Sequence, residues 1–377
     1  MVTREKDAGA VQDVIIMLHD FSFRPPAEIL AGLGGSDAHA GHGASPAAGG
    51  GATDHQGHGA APAVGGGAAA GHQGHGAPAT APPAAMDHSR MGHGPGAMAI
   101  PGMMHGGGMT IHANDIQYDA YLANDRTLDD PEVVRVDRGG QVRLRIINGA
   151  TATVFFIDTG ALAATCVAVD GSPCQPHAGR RFPLAQGQRI DLVVTIPAAG
   201  GAFPIFAQVE ADRRLTGLIL ATANAAIRKQ ADMAATVAGY ADLSLDLALR
   251  AARPLPQRPA ARMEHILLGE QPGYRWTLNG AIHGEHRPFM ARVGERIEFM
   301  FMNPTSMMHP MHLHGHHFQV VGSRGGRFSG PVRDTVIVPP HTPVVVAVDF
   351  DKPGSWYMHC HHLYHMATGM MTEVIVT

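Results

Sequence analysis

Only three cysteines occur in 377 residues, at positions 166, 174 and 360, too few for a disulfide framework. Long apolar runs are also missing. The longest near the start, residues 14–18, falls far short of the ~18–20 residues that span a bilayer. The opening Met1-Val2-Thr3-Arg4-Glu5-Lys6-Asp7 has no apolar segment of a secretory signal behind it. There is no long Lys/Arg run, and the net charge is −4 with histidine neutral, which argues against a nucleic-acid partner. Aromatic residues make up only 6% of the chain, and residues 31–110 contain none. That tract holds 23 of the 47 glycines, 9 of the 25 histidines and 6 of the 20 methionines. It cannot bury enough apolar surface to offset its chain entropy, and is expected to be a disordered insertion.

What remains is rich in short β patterns separated by Gly and Pro. Runs at 132–136, 142–147, 154–157, 189–196, 203–209 and 215–220 predict one all-β sandwich or barrel over 111–222. Residues 1–30 are expected to add an N-terminal strand to it, ended by Pro25-Pro26. Residues 223–262 are rich in Ala, Arg and Pro and read as a linker, part helical over 241–252. A second set of runs, from 266–268 to 371–376, predicts a single Greek-key sandwich over 263–377. Cys166 and Cys174 read as a strand, a turn and the start of a return. They are either a bridge or two small buried hydrophobes.

Two clusters in the second sandwich carry chemistry: His309-Pro310-Met311-His312-Leu313-His314-Gly315-His316-His317, and His359-Cys360-His361-His362-Leu363-Tyr364-His365-Met366-Ala367-Thr368-Gly369-Met370-Met371. Side chains alternate along an extended strand, so both imidazoles of a His-x-His face one side. His312 and His314 can therefore share a metal, as can His359 and His361, while Cys360 points to the opposite face. On the thiolate side His309, Cys360, His365 and Met370 compose a His₂Cys set with a weak thioether, the donors of blue-copper electron transfer. Zinc is the alternative, but zinc sites more often use paired cysteines at C-x₂₋₄-C spacing, and the sequence has none.

In type and spacing the clusters resemble the C-terminal signature of the multicopper oxidases, H-P-x-H-x-H-G-H followed by H-C-H-x-x-x-H-x-x-x-G-M. The resemblance implies two cupredoxin-like Greek-key β-sandwiches, with Ile146-Ile147-Asn148-Gly149 and Gln188-Arg189-Ile190-Asp191 similar to the family's middle domain, and it covers nearly all of the expected ordered chain. It implies type 1 copper on His309, Cys360, His365 and Met370, type 2 copper on His312, and type 3 copper on His314, His359 and His361. Cys360, His359 and His361 would form the catalytic bridge. A one-electron donor, Cu(I), a phenolic or a metal complex, would be oxidised and dioxygen reduced to water. The location implied is the periplasm or the extracellular space. The run Leu363-Tyr364-His365-Met366 and the segment 86–93 are closer to the copper-resistance branch. Met366 and Ala367 stand where laccase-like bacterial relatives often carry a carboxylate.

The family's trinuclear cluster uses eight histidines, half of them from two His-x-His motifs in an N-terminal cupredoxin domain. Residues 1–300 contain no His-x-His; the pairs present are 312/314, 314/316 and 359/361. The expectation is therefore an oxidase whose further domain is missing through a misplaced start or a truncated gene, or is supplied by a separate chain, or else a non-catalytic type 1 copper-binding, copper-sequestering or electron-carrier protein. His316 and His317 are expected to be structural, His362 to face solvent, Met371 to be core, and His283, His286 and His341 to lie on the surface. The His/Met-rich tract is either a plain linker or a weak copper-gathering segment.

Overall fold

Alternation of apolar and polar side chains builds the first sheet. In β1 (Gln12–Phe21) Val14, Ile16 and Leu18 point inward and are at most 4% exposed. The next prolines stop the strand, and Pro26 also opens a helix that the strand and turn signals do not predict, α1 (Pro26–Gly35). The first residue of a helix needs no N–H partner, so proline suits it. The computed structural model describes residues 11–35 and 111–377. Most of the glycine- and histidine-rich tract, with the disorder and copper gathering expected of it, lies outside the described residues.

The first sandwich continues through β2 (Ala120–Ala123), β3 (Val133–Arg135), β4 (Gln141–Asn148), β5 (Phe155–Asp158), β6 (Ala164–Val169), β7 (Ser172–Gly179), β8 (Arg181–Leu184), β9 (Arg189–Thr195), β10 (Ala202–Val209) and β11 (Leu215–Ala221). Its sheets run in the orders β2-β1-β4-β9-β6-β7 and β3-β11-β10-β5-β8. Leu144, Ile146, Phe155, Ile157, Leu192 and Leu218 lie in the core they share. Cys166 and Cys174 are buried and unbridged; burial pushes their thiols up to about 12 and about 11.

After a short α2 (Ser244–Ala248) comes the second sandwich: β12 (Arg262–Gln271), β13 (Arg275–Leu278), β14 (Phe289–Ala291), β15 (Arg296–Met302), β16 (His309–Leu313), β17 (Phe318–Ser323), β18 (Gly326–Arg327), β19 (Val332–Arg333), β20 (Thr335–Val338), β21 (Val344–Asp349), β22 (Gly354–Cys360), α3 (Leu363–Ala367) and β23 (Met371–Val376). Its sheets are β13-β12-β15-β21-β17-β18, with β19 on β17, and β14-β23-β22-β16-β20. The two sandwiches repeat one topology. β1 pairs antiparallel with β2 and parallel with β4, as β12 does with β13 and β15, and β3 lies parallel to β11 as β14 does to β23. The expected all-β architecture of two sandwiches is what the chain adopts.

A buried ionic cluster joins the sandwiches. Arg333, 1% exposed, donates to Asp246 of α2 at 2.6 Å and to Asp170 of the first sandwich at 3.3 Å. Charges this deep are tolerated only when each has partners.

Candidate metal centre

β16 and β22 lie side by side, with Met311 opposite Cys360 and His312 opposite His359. Strand alternation then turns Cys360 to one face and His359 to the other. Beyond β22 the chain winds into α3, which returns His365 to the thiol side. Cys360 Sγ lies 3.7 Å from His309 Nδ1 and 3.8 Å from His365 Nδ1, and the two nitrogens are 3.2 Å apart. His309, Cys360, His365 and Met370 are all 0% exposed. Main-chain bonds fix the turn between them: Cys360 N–H donates to Met370 O at 3.0 Å, and Met370 N–H to His365 O at 2.9 Å. Thr305 Oγ1 lies 2.9 Å from Nε2 of His309, which leaves Nδ1 to face the thiol.

These positions fit an ion. Donors bound at ~2.0–2.3 Å to one centre sit about 3–4 Å from each other, as these three do. Burial holds His309 and His365 well below the usual imidazole range, so they are neutral and ready to donate a lone pair. Burial also pushes the Cys360 thiol up, and a cation at this point favours the thiolate instead. The thiol and two imidazoles gathered here suit copper.

The ring of His365 is held from both sides. Trp276 stacks on it at 3.8 Å and 24°, and His362 at 3.7 Å and 13°. His362 is therefore 2% exposed rather than solvent-facing: the first turn of α3 folds it under His365. At the edge of the stack, Asp115 Oδ2 lies 3.4 Å from His365 Nε2 and accepts the Tyr274 hydroxyl at 2.7 Å. Donor atoms of Asp115, His362 and His365 also cluster within 4.8 Å. The two imidazoles are nearly parallel, though, so their in-plane lone pairs run side by side and do not converge.

On the opposite face, donor atoms of His312, His314 and His359 lie within 4.8 Å of one another, with His314 Nε2 3.0 Å from His359 Nε2. His361 sits with its ring centre 5.7 Å from those of both His312 and His359. His312 Nδ1 donates to Asp334 O at 2.8 Å, and His359 Nδ1 to Cys360 O at 2.9 Å. Carbonyls only accept, so both rings keep Nε2 bare for a metal. Burial lowers His359 to about 4, and lowers His361 and the exposed His314 as well. Burial would raise the Asp334 carboxyl, but Arg189 and His312 hold it below the usual range.

Of the remaining histidines, His316 is 3% exposed beneath Trp356 and Phe350. His317 and His341 are exposed, and His283 stacks loosely on His286 at the surface. Met371 is half-buried at the start of β23. Asp115, Tyr274, Trp276, Arg189 and Asp334 carry no sequence signal of a role at the metal. Asp115 is 250 positions from His365, and no local pattern marks that pairing.

Models of the multicopper oxidase family match residues 94–230 and 256–377. The chain belongs to the multicopper oxidase family. It is 33% identical over 264 residues to multicopper oxidase MmcO of Mycobacterium tuberculosis, covering 69% of this chain and 51% of that protein. Copper resistance protein A of Escherichia coli is 36% identical over 131 residues, 35% of this chain and 21% of that protein. This multicopper oxidase chain also superposes on the laccase from Botrytis aclada with a TM-score of 0.66 at 17% identity, covering 97% of this chain and 64% of that one. At that identity the likeness concerns the fold. The chain spans about half the length of MmcO. Copper is the cofactor of the family. Among the described residues no helix is long and apolar enough to cross a membrane.

Proposed function

We propose that this chain carries the electron-accepting copper site of an oxidase together with half of its dioxygen site. His309, Cys360 and His365 hold a type 1 copper with Met370 as a weak fourth donor, His312 serves type 2 copper, and His314, His359 and His361 serve the type 3 pair. One observation carries the reading: three donor atoms 3.2–3.8 Å apart meet at Cys360, while the adjacent His359 belongs to a second imidazole cluster on the other face of the same strand. Copper bound here supplies one-electron redox chemistry on the thiolate side and four-electron reduction of dioxygen to water on the imidazole side.

The protein's part is positioning. Trp276 and His362 fix the plane of His365, Thr305 sets the tautomer of His309, and the main chain of Cys360 links thiolate to imidazoles covalently. Asp115, 11% exposed at the edge of His365, marks the side from which a donor approaches. The donor class is Cu(I), a phenolic or a metal complex, and the setting is the periplasm or the extracellular space. The other imidazoles of the dioxygen site come from a further cupredoxin domain, which a separate chain can provide.

Copper loading with absorption spectroscopy and oxygen uptake tests this reading. An intense thiolate-to-copper band that Cu(I) or a phenol bleaches, with oxygen consumed, is expected. Without that band the site assignment fails. A band with about one copper per chain and no oxygen uptake leaves an electron carrier, a role that the exposed His314 in an open imidazole set also permits.

A further inference from the structure

One turn of the first sandwich reaches the imidazole face of the second. Residues 185–188, between β8 and β9, close through a bond from Gln188 N–H to Ala185 O at 3.0 Å, with Gly187 at φ +77°. A Cβ on Gly187 would stand 2.3 Å from Cδ2 of His361 and 2.6 Å from its Nε2, so bare backbone is seated directly against that ring. Arg189 then donates to both carboxylate oxygens of Asp334, at 2.7 and 2.5 Å, and back to Gly187 O at 2.8 Å. The main-chain oxygen of Asp334 is the acceptor for His312 Nδ1 at 2.8 Å. Gln188, fully buried, donates to Thr335 O at 3.0 Å, and Thr335 Oγ1 lies 3.1 Å from the same His312 nitrogen.

We propose that this turn is a positioning device for the metal face: the sandwich that holds none of the metal-ligand histidines sets the tautomer of His312 through Arg189, Gln188 and Asp334, and walls the ring of His361 with Gly187. The four imidazoles then acquire their working arrangement only when the two sandwiches are docked. Gly187, Gln188, Arg189 and Asp334 are positioning residues that touch no substrate. The identity of the metal rests on the function proposed above; the ordering of the rings does not. Outer partners of metal-bound histidine commonly change metal affinity about 10- to 100-fold when removed.

The test uses the full chain with ¹⁵N-labelled histidine. In the metal-free protein at pH 8, long-range ¹⁵N–¹H spectra should show His312 as a single tautomer protonated at Nδ1. Arg189→Met should give a tautomer mixture. In a Cu(II) titration it should weaken the imidazole-face copper about 10- to 100-fold, while the Cys360 band, on the opposite face, keeps its intensity. Arg189→Lys, which cannot bind both oxygens at once, should fall between. Gly187→Ala provides a second route to the same loss if Arg189→Met does not fold. A folded Arg189→Met with the tautomer and second-copper affinity of the parent would reduce the turn to plain interdomain glue and overturn the proposal. If the parent lacks the Cys360 band, the copper reading fails and the tautomer result still decides.

Discussion

The two sandwiches have one topology and opposite contents. In the first, Asn148 clamps the sheet end by donating to Thr153 O and Leu184 O, and Phe155 pairs with Leu184. In the second, Asn303 donates to Met307 O and Val338 O in the same pattern, and His309 pairs with Val338. Phe155 and His309 thus occupy equivalent places, both 0% exposed. Likewise β10, the counterpart of β22, turns Ile205, Ala207 and Val209 inward where β22 turns Cys360. One end of an apolar core holds a thiol and imidazoles instead, without any change in the strand order, so the same fold can carry either content. The first sandwich instead contributes from outside, through Asp115 and the turn at Gly187.

The largest effect expected from breaking this contrast is that of Cys360→Ser. It should abolish the intense visible band of the copper-loaded protein entirely, and a surviving band would mean that the thiolate donor lies elsewhere.

Second in size is the effect at the equivalent pair. Phe155→Ala should destabilise the protein by about 3–5 kcal/mol with or without copper, because it opens a cavity in a packed core. His309→Ala should cost less in the metal-free protein and remove the share of stabilisation that copper gives at the thiolate face, which at ~1,000 Kd of free metal is about 4 kcal/mol. Chemical denaturation of both variants, with and without Cu(II), measures this; equal copper stabilisation in parent and His309→Ala contradicts it.

A smaller effect belongs to the first sandwich alone. Glu210 is buried with one oxygen unpartnered, and burial raises its carboxyl to about 8 despite a bond from Ala241 N–H. The folded state keeps a proton that the unfolded chain releases above about pH 4.5, so its contribution is full below that pH and is lost as pH rises toward 8. Glu210→Gln should flatten this decline, by on the order of 3 kcal/mol between pH 5 and 8, in denaturation measured across that range. An unchanged slope would assign the pH dependence to another group.

The smallest is Asp115→Ala, which should retain the visible band and lower kcat/KM several-fold for a cationic donor more than for a neutral phenol. Equal losses for both would limit Asp115 to packing against Tyr274.

Much of the strand pattern is legible along the chain because pleating is local: inward Val142, Leu144 and Ile146 announce β4 before any partner is known. The helix at Pro26 is not, because proline both ends a strand and starts a helix, and the outcome depends on how residues 27–35 pack. The three groups that meet at Cys360 are already candidates in the sequence, whereas the burial of His362 is not legible there. Its burial depends on the chain entering α3 so that the His362 ring stacks on that of His365.

The sequence by itself determined on which face of a strand the candidate metal-binding residues stand, since alternation of side chains operates over two or three residues. Only the tertiary structure decided what surrounds them. Asp115, Trp276, Gly187 and Arg189 come to the histidines from distant segments, and their effect arises from stacking, exclusion of water and fixed hydrogen bonds. These act through space between packed surfaces, and no local spacing encodes them.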